Sequence, residues 1–120
     1  MVDYALAYTV QFDASHQLPD VPKCAALHGH TYTVTATVVG NLEPDENDIP
    51  RVQYAETLDD LMRIAVELDD RHLNDMIPGS ITVQEVLAAW FLERLSDADY
   101  VEVVQGWRKV TGRATRNKRR

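Results

Sequence analysis

Residues 31–39, T-Y-T-V-T-A-T-V-V, set threonine against Tyr32, Val34, Ala36 and Val38. This two-residue period belongs to a β-strand with one apolar and one polar face. A sheet face of that kind has to be covered by another layer. The segment H-G-H at 28–30 stands immediately ahead of it. On an extended segment His28 and His30, with Gly29 between them, lie on one face and aim two imidazoles at one point.

Three of the four histidines fall within fifteen positions, His16 standing ahead of the pair and Cys24, the single cysteine, between. An isolated H-x-H is short enough to be a polar turn, with His16 an ordinary surface residue. His16 and Cys24 together tip the reading toward a metal-dependent active site. His16 closes F-D-A-S-H, which follows a strand-like run, and is the natural third ligand. Three neutral imidazole nitrogens suit zinc, and a three-histidine set leaves the fourth tetrahedral position open, as catalytic sites do. A lone cysteine forms no internal disulfide, so Cys24 is either a buried filler or a reactive thiol.

Tyr4–Phe12 carries aromatic and β-branched residues and reads as a first strand, paired antiparallel with the threonine-rich one, the histidines lying near their connection. N-L-E-P-D-E-N-D-I-P at 41–50 is an acidic loop with two prolines. From Glu56 to about Asp70, Leu58, Leu61, Met62, Ala65 and Leu68 recur at helical spacing. A second helix is predicted from Thr82, where T-V-Q-E offers a capping box with Glu85, and Val86, Leu87, Trp90, Phe91 and Leu95 supply core. Tyr100–Val104 and about Arg108 to Arg113 read as a hairpin turned around Gly106. The expected fold is α+β, a four-stranded antiparallel sheet with two helices on one face in the order ββααββ. It is a single domain over 1–115, with a basic, frayed tail at 116–120. One sheet face and both edges stay uncovered, which favours closure into an oligomeric ring.

Hydrophobic residues make up 45% and charged residues 26% of the 120, the composition of a globular domain. All 19 acidic residues lie at or before Glu102, and 7 of the 12 basic ones lie between Arg108 and Arg120. That basic end has no aromatic residue to stack on a base after Trp107, so it reads as a solvated tail and no nucleic-acid partner is expected. No apolar run approaches the roughly 20 residues of a membrane span, and the start M-V-D-Y-A-L-A-Y lacks the features of a signal peptide. No membrane association and a cytoplasmic location are expected.

Four segments together resemble the 6-pyruvoyltetrahydropterin synthase and 6-carboxytetrahydropterin synthase family. They are F-D-A-S-H at 12–16, C-A-A-L-H-G-H-T-Y at 24–32, L-D-D-R-H-L-N-D at 68–75 and E-V-L-A-A-W at 85–90. The resemblance implies a T-fold, with zinc on His16, His28 and His30 and Cys24 as catalytic base. It also implies a homohexamer of two stacked trimeric rings with active sites between subunits. Members act on 7,8-dihydroneopterin triphosphate, and the bacterial branch makes 6-carboxytetrahydropterin on the route to 7-deazaguanines such as queuosine. A nearby zinc and the adjacent Lys23 would favour the thiolate of Cys24.

Two positions depart from the family pattern. Where the family reads L-D-H, this chain reads Leu68-Asp69-Asp70, so Asp69 and Asp70 are the candidates to assist proton transfer. His72 stands two residues late, an offset of about 200° on a helix, and substitutes only if the backbone is irregular there. A surface or helix C-terminal role for His72 is the alternative. Gln105 aligns with the glutamate that accepts from the pterin edge. Its amide offers one acceptor and one donor, which complements a lactam O and N–H pair and alters substrate preference. Gln53 likewise replaces an aspartate. A divergent enzyme with a changed substrate and a non-catalytic module holding zinc and a heterocycle are the competing expectations.

Overall fold

Two thirteen-residue strands, β1 (Tyr4–His16) and β2 (His28–Gly40), pair antiparallel in unbroken register from Tyr4 against Gly40 to His16 against His28. The computed structural model describes residues 4–18, 28–40, 55–77, 82–95, 97–106 and 110–117. Both strands run further than their apolar periodicity, because F-D-A-S-H and H-G-H continue the ladder. Phe12, Ala14 and His16 alternate into the protein while Gln11 and Asp13 point away.

Helix α1 (Ala55–Leu68) stops at Leu68, and Asp70 follows with φ 59°. Left-handed backbone ends a helix and turns the chain, and Asp tolerates it better than most residues. The chain then forms β3 (Arg71–His72), which lies parallel to the outer edge of β1, and the one-turn helix α2 (Leu73–Met76). Helix α3 (Gln84–Arg94), β4 (Tyr100–Gln105) and β5 (Thr111–Thr115) complete the fold. The sheet order is β3-β1-β2-β4-β5. The α+β class holds, with the four strands and two helices expected corrected to five strands and three helices among the described residues. A two-residue strand and a four-residue helix are too short to show a hydrophobic period.

The core lies on one side of the sheet. Leu61, Ile64, Ala65 and Leu68 form the buried stripe of α1, whereas Met62, expected there, is 52% exposed. Phe12 stacks on Tyr32 with ring centroids 5.2 Å apart and touches Phe91 of α3 at 6.0 Å. Helix α3 rests directly on β5 at Gly112, where an added Cβ would lie 2.6 Å from Gln84. The other sheet face is polar, with Thr9 against Thr35 and Gln11 donating to Thr33, each at 3.0 Å.

The two ends of α3 are held by different means. The first residue of α3 is Gln84, Val83 is its N-cap, and no side-chain cap bond forms, so the capping box expected at Thr82 is absent. At the far end the Arg116 guanidinium donates to the carbonyls of Leu92, Leu95 and Ala98, and its N–H donates to Asp99 O. The basic segment is thus tied down at its first residue. No helix among the described residues is long and apolar enough to cross a membrane.

Candidate metal and substrate site

His16 ends β1 and is paired in register with His28, while His30 lies two residues further along β2 opposite Ala14. His16 is only 1% exposed, and its ring centroid is 5.1 Å from that of His30, with the planes at 84°. Two imidazoles on a tetrahedral zinc, with Zn–N of about 2.0–2.1 Å, have ring centres about 5 Å apart. The observed spacing fits that arrangement.

The chemistry of His16 fits as well. Its Nδ1 lies 3.2 Å from the carbonyl of Thr82 and 3.1 Å from the hydroxyl of the same residue. A carbonyl oxygen can only accept, so the proton belongs on Nδ1 and the lone pair on Nε2. Metal-ligating histidines characteristically donate their second ring N–H to such an acceptor. Beneath the pair lies Tyr32, its ring 6.1 Å from His16 and 5.9 Å from His30. Burial pushes its phenol well above the ordinary value, and the hydroxyl has no hydrogen-bond partner among the described residues.

Among the described residues no group of three or more His, Cys, Asp or Glu side chains forms a metal-binding cluster. Cys24, Lys23, Gln53 and the side chain of His28 lie outside the described residues.

The segment after α1 is laced along the end of β1. Asp13 N–H donates to Asp69 Oδ1 at 2.9 Å, and Asp70 N–H donates to Asp13 O at 2.7 Å. Ser15 Oγ lies 3.0 Å from His72 Nδ1. Asn74 accepts from Gln17 N–H at 2.8 Å and donates to Gln17 O at 3.0 Å. His72 is therefore on an extended strand, at the N-cap of α2, and the backbone irregularity that its substitution for the family histidine requires is present at Asp70. Asp69, with its carboxylate on a backbone amide, holds the segment in place.

A cleft of about 500 Å³ opens beside this lacing, lined by Asp13, Ala14, Ser15, Gly29, His30, Thr31, Asp70 and Arg71. It brings Asp70 to His30 but includes neither His16 nor Asp69. Asp13, Ser15 and Thr31 belong to the face opposite His16, so the cleft wraps the sheet end rather than facing the imidazole pair. Gln105 is paired with Tyr32. Residues paired across adjacent strands share a face, which puts Gln105 on the side of His16, His30 and Tyr32.

Residues 5–115 match the model of the 6-pyruvoyl tetrahydropterin synthase family. The chain belongs to that family. Among solved structures it resembles 6-pyruvoyl tetrahydropterin synthase of Caenorhabditis elegans, at 17% identity and TM-score 0.78 with 98% of each chain covered. The Plasmodium vivax enzyme matches at 14% identity and TM-score 0.74, covering 98% of this chain and 99% of that one. An uncharacterized protein of Wolinella succinogenes matches at 17% identity and TM-score 0.71, covering 98% and 100%. At such identities the likeness establishes the shared fold. The sequence did not show that Thr82 meets His16 or that Asn74 meets Gln17. Thr82 was legible only as a cap, and Asn74 only as part of L-N-D.

Proposed function

We propose that this chain is a zinc-dependent lyase of the 6-carboxytetrahydropterin synthase type, acting on 7,8-dihydroneopterin triphosphate or a related reduced pterin. The observation that carries the reading is the close approach of His16 and His30 on one sheet face, with the His16 lone pair set on Nε2 by Thr82. His28 is the third ligand in this reading. Bound zinc would supply Lewis-acid polarisation of the substrate's side-chain oxygens.

The chain's own residues do the rest. Cys24 is the base that removes a proton from the side-chain carbon. Asp70, at the cleft beside His30, takes part in returning a proton, and Asp69 fixes the strand end on which His16 stands. Gln105, on the shared face, offers its amide to the heterocycle edge. Incubating zinc-loaded protein with dihydroneopterin triphosphate and with sepiapterin should yield a new chromatographic product that Cys24→Ala abolishes. Turnover of neither compound rejects the proposal.

A second reading, an altered substrate without a triphosphate, is favoured by the charge of the body of the chain. Residues 1–107 hold 5 basic residues against 19 acidic ones, whereas a triphosphate ordinarily requires several cations. Comparing rates on the triphosphate and its dephosphorylated form separates the two. A strong preference for the triphosphate removes this version. Were the chain a binding module, Asp70→His with Gln105→Glu would create activity that the natural protein lacks.

The assembly in this reading is a homohexamer of two trimeric rings. The outer edge of β1 from Tyr4 to Asp13 has no strand partner among the described residues, and neither has the outer edge of β5. Light scattering on the purified chain gives the subunit count directly.

A further inference from the structure

We infer that Thr82 is a positioning residue for the metal site: its carbonyl and hydroxyl together clamp Nδ1 of His16 and so present Nε2 to the ion. The inference rests on the zinc reading above and deepens it.

Three observations carry it. Thr82 is fully buried at 0% exposure, so neither of its oxygens is held by bulk water. Its hydroxyl is not engaged as a helix cap, because α3 takes Val83 as N-cap without any side-chain bond. Both oxygens instead converge on one ring nitrogen, at 3.2 and 3.1 Å, from a residue 66 positions away in the sequence.

Each oxygen has a distinct effect. The carbonyl decides the tautomer, since it has no proton to give. The hydroxyl, approaching the same nitrogen from a second direction, restricts rotation of the ring about its Cβ–Cγ bond. Position and tautomer are both settled before an ion arrives, which lowers the cost of binding it. Valine at 82 preserves shape and the carbonyl but removes the hydroxyl, whereas serine keeps both oxygens.

The test combines two measurements on the full chain. Zinc affinity is measured by competition with a chromophoric chelator for wild type, Thr82→Val and Thr82→Ser. Nitrogen–proton correlation spectra of the histidine rings are recorded for the metal-free wild type. The expected result is a His16 ring protonated on Nδ1 and bare on Nε2, zinc binding weakened about tenfold in T82V, and wild-type affinity in T82S. A His16 proton on Nε2 overturns the inference, as does T82V binding zinc as tightly as wild type. The ring spectrum needs no variant, so it decides even if T82V fails to fold. Equal affinities would overturn the role of Thr82 alone, while a wild type that takes up no zinc would overturn the zinc reading as well.

Discussion

The side-chain amide of Asn74 pairs with the main chain of Gln17 as a neighbouring strand would, accepting at 2.8 Å and donating at 3.0 Å. This extends the β3 pairing past its two residues and pins the strand end that carries His16. Asn74→Ala removes both bonds at a half-buried place, at a cost of about 1–2 kcal/mol. Asn74→Asp keeps the acceptor but sets its second oxygen against the Gln17 carbonyl, so it should not recover the loss. Urea unfolding of the three proteins tests this, and an unchanged midpoint in N74A would show that water replaces both bonds.

Gly112 lies under the first turn of α3, where a Cβ would come 2.6 Å from Gln84. Backbone gives way less readily than a side-chain tip, so Gly112→Ala should destabilise by about 1–3 kcal/mol. For a domain of 120 residues each kcal/mol lowers the melting temperature by about 4 °C. A calorimetric scan showing no decrease would contradict the close packing.

Arg116 gathers carbonyls at the C-terminal end of α3, donating to Ala98 at 2.9 Å and Leu92 at 3.1 Å and also to Leu95. Its charge also complements the negative end of the helix. Arg116→Ala should cost about 2 kcal/mol, read from the unfolding midpoint. Arg116→Lys should regain only part of this, because an ammonium lacks the planar fork that reaches several carbonyls at once. Full rescue by lysine would mean that charge alone matters.

Tyr32 keeps its proton in the folded protein well above the ordinary phenol value because burial disfavours the phenolate. The unfolded chain releases that proton near pH 10, so this contribution to stability is complete below pH 10 and falls as pH rises above it. Tyr32→Phe removes the titrating group and should flatten that alkaline decline. Stability curves of the two proteins between neutral and alkaline pH check it, and parallel curves would argue against the assignment.

Much of this architecture was legible in the residues, and the gaps have physical causes. The threonine alternation over 31–39 located β2, and the helical spacing of Leu61, Ala65 and Leu68 located α1. Polar letters hid the end of β1: D-A-S-H is strand because it pairs with H-G-H and Thr31, a non-local fact. Met62 was misplaced because Ile64 makes the better stripe with Leu61, Ala65 and Leu68, and apolar identity alone does not choose between them. Of the candidate site, the spacing of the histidines foretold the approach of His16 to His30. The route of residues 69–74 beside β1 was not foretold, since it depends on one left-handed residue and on side-chain bonds to a distant backbone. T-V-Q-E matched a local capping pattern, but Thr82 is occupied by a histidine far away in the chain, and no local pattern reveals that competition.

The bare Cα of Gly112 bears on more than packing. Thr82 stands just ahead of α3, so the helix that rests on β5 at Gly112 leads directly into the residue whose two oxygens meet the His16 ring. The far margin of the sheet is thereby joined to that imidazole through a single helix. Under the proposed function, bulk added at Gly112 would reach the ring without touching it.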